Sequence, residues 1–192
     1  MLVVELFARA RLSRRNILLT LASTALVALT PVGANAVELA GVRQDGKEIA
    51  PGEITGWRLV YFGYTQCPDI CPISLHSMTE AINALGPIGE RITPVFVSVD
   101  PERDTPEVIA KYLAFFHPRM VGLSPHPDQL AELAQSWRIK YSRVELKGGG
   151  YTVDHTATIF FTDPVGTIIG RYPHDLDGEA LANRIRATLL AQ

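Results

Sequence analysis

The segment that most constrains the fold lies between residues 59 and 72. Leu59–Tyr64 (LVYFGY) is a compact, β-favouring apolar run, the pattern of a buried strand. Cys67-Pro68-Asp69-Ile70-Cys71-Pro72 follows almost at once. Pro72 suits a first helical turn, where its missing N–H needs no partner. Ile73, Met78, Ile82 and Leu85 then give a loosely helical stripe that ends near Gly86-Pro87. A buried strand thus passes into a helix through a loop carrying both cysteines of the chain. In a βαβ unit, that junction is where ligands and reactive groups are presented.

The rest of the chain extends this unit. Ile92–Val99 (ITPVFVSV) reads as a second buried strand, with Pro94 demoting its first residues. Thr105 caps a second helix whose first residue is Pro106, with Val108, Ile109, Tyr112, Leu113 and Phe116 at helical spacing. Met120–Leu123 is a short strand, and Pro127–Trp137 a third helix with Leu130, Leu133, Ala134 and Trp137 on one face. Lys140–Leu146 alternates like an exposed edge strand, before a flexible Gly148-Gly149-Gly150 tip. Ala157–Phe161 and Thr167–Tyr172 flank a turn at Asp163-Pro164-Val165-Gly166, and Gly178–Leu190 closes the chain as a helix. Near the start, Asp45-Gly46 marks a small hairpin. An early βαβ unit followed by a late ββα unit predicts an α/β, thioredoxin-like architecture: a mixed central sheet with helices on both faces.

Residues 1–36 read as an export signal. Arg9, Arg11, Arg14 and Arg15 precede an apolar run from Ile17 to Leu29, and Ala34-Asn35-Ala36 fits a small-residue cleavage site. The run is short for a bilayer span, which needs roughly 20 residues, so a cleaved signal is favoured over an uncleaved anchor. Ser13–Leu18 also resembles a twin-arginine signal, with Ile17 where Phe is usual. The expected domain is then residues 37–192, with 156 residues and a net charge of −5. That is enough for one real core. An acidic balance argues against a nucleic-acid surface. Two cysteines exclude a disulfide-dense scaffold and a four-cysteine metal site. Membrane contact is expected only through the N-terminal segment. Export would place both thiols in the periplasm or another oxidising part of the cell envelope, with an inner-membrane tether if the segment stays.

At a helix N-terminus, free N–H groups and the helix dipole favour thiolate, and the expectation is that the pKa of Cys71 falls. The spacing of the pair allows both sulfurs to converge on one metal ion or to close a disulfide. A purely stabilising disulfide is the weaker reading: a loop of about 5 residues gains only roughly 2 kcal/mol. Two thiolates favour soft ions, Cu(I) and Zn(II). Among the histidines, His76 follows Cys71 on the same helix and points away, while His117, His126 and His174 fall in loops where a surface position is the default. His155, in Val153-Asp154-His155-Thr156, sits just before a sheet strand, where a thioredoxin-like fold faces the cysteine-bearing helix. It is the candidate third ligand. Asp154 is either a group that orients the ring or an ordinary loop carboxylate. Asp100, at the end of the second strand, either supports the site or caps the next helix.

Three blocks resemble the Sco/SenC family of copper-binding assembly proteins: Tyr61–Pro72 (YFGYTQCPDICP), Val97–Pro106 (VSVDPERDTP) and Asp154–Ala157 (DHTA). The resemblance implies a thioredoxin-like fold and copper, as Cu(I) or Cu(II), held by Cys67, Cys71 and His155. It also implies delivery of copper to the binuclear copper site of cytochrome c oxidase, or reduction of that site, with the copper-bearing subunit or another periplasmic acceptor as partner. One departure is that Val37–Ile49 is short and polar where the family opens with a longer apolar strand. The rival from another class is a thiol–disulfide oxidoreductase that keeps acceptor cysteines reduced; otherwise no enzymatic activity is expected. A peroxiredoxin-like peroxidase is disfavoured because Pro68 stands where those enzymes have a Thr, three residues before the reactive cysteine.

Overall fold

The computed structural model describes residues 38–192, and the export segment expected over residues 1–36 lies outside them. A small hairpin comes first, Gly41–Arg43 (β1) with Glu48–Ile49 (β2). The polar opening of the domain therefore still forms the hairpin that Asp45-Gly46 predicts, with Gly46 at φ +83° in its turn. Trp57–Gly63 (β3) is buried along almost its whole length and leads to the helix Ile70–Ala84 (α1). A short 3-10 segment, Gly86–Arg91, follows α1, and then Ile92–Ser98 (β4). Pro106–Leu113 (α2), Val121–Ser124 (β5) and Pro127–Trp137 (α3) come next. Tyr141–Glu145 (β6) and Tyr151–His155 (β7) form a hairpin. Thr158–Thr162 (β8), Ile168–Pro173 (β9) and Gly178–Leu190 (α4) complete the chain.

Seven strands form one mixed sheet in the order β2-β1-β5-β4-β3-β8-β9, while β6 and β7 pair only with each other. β3, β4 and β5 are parallel and the remaining pairs antiparallel. Pro94 does not trim β4 as the sequence implied. The strand starts at Ile92 and Pro94 pairs in register with Leu59 of β3. β5 joins β4 only from Val95 onward, so Pro94 lies where the strand has a neighbour on one side alone.

The period of two along β3 sorts its side chains. Tyr61 and Phe96 face α1 and α2, where Phe96 lies 5.8 Å from the ring of Tyr112. Val60 and Phe62 face the other way, where Phe62, Trp137 of α3 and Phe160 pack edge-on with centroids 5.3–6.0 Å apart. Helices therefore lie on both faces, with α4 packed against α1 and β9. Gly122 of β5 lets α2 approach, since a Cβ there would meet Ile109 at 2.3 Å. At the end of β3 away from the cysteines, Arg58 is 2% exposed and donates to Thr162 Oγ1 and the carbonyl of Ile54, both at 2.9 Å. His117, expected on the surface, is buried; its Nδ1 accepts from the Arg119 N–H at 3.2 Å, so the loop after α2 folds around the ring.

Candidate metal centre

β3 ends at Gly63, and the chain turns through Tyr64–Asp69 before α1 begins. Cys71 is the second residue of α1 and is fully buried, its sulfur turned onto the sheet near the Tyr61 hydroxyl, 4.0 Å away. Cys67 precedes the helix and is 9% exposed. Its sulfur accepts the Cys71 backbone N–H at 3.5 Å, so Cys67 takes one of the unpaired N–H groups of the helix start. Both cysteines are free.

This geometry reverses the sequence expectation for the thiols. Hydrogen bonding from Cys71, with further bonds from backbone N–H groups at the helix start, pulls Cys67 far below the ordinary thiol range. The bond to Cys67 together with burial pushes Cys71 up. The helix start favours thiolate as expected, but on Cys67, whose sulfur receives the Cys71 backbone N–H.

His155 is the last residue of β7 rather than a loop residue leading into the main sheet. Its Nδ1 lies 3.2 Å from the Thr156 carbonyl oxygen. That oxygen only accepts, so Nδ1 carries the proton and Nε2 presents its lone pair. Nε2 is 3.4 Å from Cys71 Sγ. The ring stands edge-on to Tyr61 and Tyr64, at 6.0 and 5.9 Å between centroids. The sulfurs of Cys67 and Cys71 and a ring nitrogen of His155 all lie within 4.8 Å of one another. Two sulfurs and one imidazole nitrogen, enclosed by aromatic side chains, suit a soft ion of low coordination number.

The other titratable candidates lie apart. Among the described residues, no further His, Cys, Asp or Glu joins this cluster. Asp154 is exposed on β7, and the Thr156 carbonyl, not Asp154, fixes the ring. Asp100 is buried but bonds Arg103 and the Tyr151 hydroxyl, the latter at 2.9 Å. His76 pairs with Glu80 at 3.2 Å, and His126 with Glu48 at 3.4 Å. His174 is half-buried after β9.

Sequence reasoning missed Asp104 as a site-shaping residue. Fully buried, it accepts from the Thr65 N–H at 3.0 Å, the Thr65 hydroxyl at 2.6 Å and the Ser98 hydroxyl at 2.7 Å. These bonds tie the cysteine loop to the end of β4. Asp104 does lie inside the second family-like block, but the sequence does not show that its carboxylate points inward.

The sequence model of the SCO1/SenC family matches residues 36–190. The chain is 35% identical over 146 residues to the Arabidopsis thaliana mitochondrial protein SCO1 homolog 1, covering 75% of this chain and 44% of that protein. It is 36% identical over 134 residues to a SCO2-like protein of Rickettsia felis, covering 68% of this chain and 65% of that protein. The chain thus spans between about two fifths and two thirds of these relatives' lengths. Among solved structures, copper-bound ScoI of Bradyrhizobium japonicum superposes with a TM-score of 0.70 at 34% identity, covering 80% of this chain and 99% of that one. Copper-bound ScoI of A. thaliana gives 0.74 at 31% identity, covering 83% and 100%. With the fold, the three sequence blocks and the family match in agreement, this chain belongs to the SCO1/SenC family.

Proposed function

We propose that this protein is a copper metallochaperone that takes up copper through Cys67, Cys71 and His155 and passes it to the copper-bearing subunit of cytochrome c oxidase or another acceptor in the cell envelope. The observation that carries this reading is the meeting of both sulfurs with an imidazole nitrogen whose lone pair is free, within 4.8 Å. Copper-bound relatives of the same fold support the choice of metal. Cu(I) suits two thiolates and one neutral imidazole in a trigonal set, and Cu(II) is the second state the same donors accept. Transfer is ligand exchange: each acceptor donor that binds the ion releases one donor here, and no substrate bond breaks. Residues 1–36 serve as the export signal, which places the domain of residues 37–192 in the periplasm. Among the described residues no helix is long and apolar enough to cross a membrane.

The test is anaerobic Cu(I) titration of the reduced domain, with Cys67→Ala, Cys71→Ala and His155→Ala beside it. One tightly bound ion is expected in the parent and a loss of affinity in every variant. Unchanged tight binding by His155→Ala would remove the ring from the site. Bound copper also adds folding stability, about 2.7 kcal/mol at 100 times its Kd, read as a Tm rise of about 5–10 °C.

A second reading is thiol–disulfide exchange, favoured by two free cysteines of which Cys67 is the easier to ionise. Turnover on a protein disulfide by copper-free protein would support it.

A further inference from the structure

β6 and β7 make no ladder with the main sheet, yet β7 supplies His155. The hairpin does not lie flush on the body. A groove of about 690 Å³ separates them, lined by Val42, Pro106 and Leu130 on the body side and Tyr141, Arg143 and Val153 on the hairpin side. At the base, Thr156 N–H donates to the Lys140 carbonyl and Lys140 N–H to Thr156 Oγ1, both at 2.9 Å.

Beyond that hinge, Val153 packs into the core, and the polar attachment is concentrated on one ring. The guanidinium of Arg103, from the loop after β4, lies 3.6 Å from the centroid of Tyr151, and that of Arg143, from β6, also lies at 3.6 Å. The Tyr151 hydroxyl donates to Asp100 Oδ1 at 2.9 Å, and Arg103 Nη1 donates to the Tyr151 carbonyl at 2.9 Å. Arg103 Nη2 is buried without a hydrogen-bond partner, and the π face of Tyr151 compensates it. Arg143 also reaches Glu102 at 3.5 Å. Two further contacts at this end join the Tyr64 hydroxyl to Thr152 Oγ1 at 2.7 Å and His155 Nε2 to Cys71 Sγ at 3.4 Å, and Tyr64 itself packs edge-on to His155.

We infer that Tyr151, clasped between Arg103 and Arg143 and tied to Asp100, is a positioning residue: a latch that holds the β6–β7 flap down so that His155 meets the two sulfurs. The inference deepens the copper reading, since the latch sets whether the site offers three donors or only the two thiolates. It also makes a claim about the copper-free protein that does not depend on that reading.

The experiment compares parent, Tyr151→Phe, Tyr151→Ala and Arg143→Ala, each as the reduced domain. Amide hydrogen exchange in copper-free protein reads the flap. Tyr151→Ala is expected to speed exchange across residues 151–155 by about tenfold or more, given two cation–π contacts and a charge-assisted hydrogen bond, with β3 and β4 unchanged. Tyr151→Phe keeps the ring in its clasp and should recover most of the protection. Arg143→Ala, a surface change that leaves the core intact, should lie between. In the metal arm, Cu(II)-loaded protein is followed by electron paramagnetic resonance. The nitrogen hyperfine pattern is expected in the parent and in Tyr151→Phe, and to be lost in Tyr151→Ala as in His155→Ala, with sulfur coordination kept. Parental exchange rates in both Tyr151→Ala and Arg143→Ala would overturn the latch. A parent without nitrogen coordination would overturn the copper reading while the exchange data still judge the latch.

Discussion

Gly63 ends β3 directly beneath the sulfur of Cys71. A Cβ there would lie 2.9 Å from that sulfur and from Tyr61, and 3.1 Å from Phe96. No left-handed backbone requires this glycine; the close approach of the sulfur does. Gly63→Ala is therefore expected to cost about 1–3 kcal/mol and to displace Cys71, so urea unfolding and Cu(I) competition should both register it. The two cysteines are legible in the sequence because reactive residue types at a strand–helix junction are rare, and His155 because it precedes a sheet strand that faces that junction, within a family-like block. The inward turn of Cys71 is not, since a helix register read from a loose stripe does not fix a side-chain direction. Nor is the thiol order, which depends on which sulfur receives the helix N–H groups. Asp104, Arg103 and Tyr151 escape for a related reason: charged and aromatic residues in segments that read as loops gain meaning only from what folds over them.

At the scale of elements, the sheet strands and all four helices follow the apolar periodicity, and the edges follow the turn residues. β7 is the exception. Tyr151–His155 is short and mostly polar, with only Val153 buried, so its pattern resembles a loop. The signal that could have found it is Lys147-Gly148-Gly149-Gly150, a turn opposite an alternating strand. α3 shows the opposite case, where one residue anchors an element. Trp137 is fully buried against Phe62 and Phe160. Trp137→Ala is expected to lower stability by about 3–5 kcal/mol, measured by urea denaturation, while Cu(I) stoichiometry of the folded protein stays the same because α3 lies across the sheet from the thiols.

For the molecule as a whole, Asp104 links stability to acidity. Burial raises its carboxyl above the ordinary range, against the lowering pull of the Thr65 and Ser98 hydrogen bonds. A folded pKa above the unfolded one means that the native state holds the proton longer. This contribution is fully present below the unfolded value and is lost as pH climbs through the folded one. Urea unfolding from the ordinary carboxylate range upward should show the parent losing stability relative to Asp104→Asn, whose side chain does not titrate. Parallel pH profiles for the two proteins would show that Asp104 adds no such linkage.

The unequal burial of the two sulfurs has a consequence for how the ion departs. Cys67 is 9% exposed and Cys71 not at all, so a visiting thiolate or an alkylating reagent arrives at the rim and finds a single sulfur there. Iodoacetamide should mark residue 67 well before residue 71. By the same reasoning, cargo leaves in a set sequence, and the inner anchor is the last to let go.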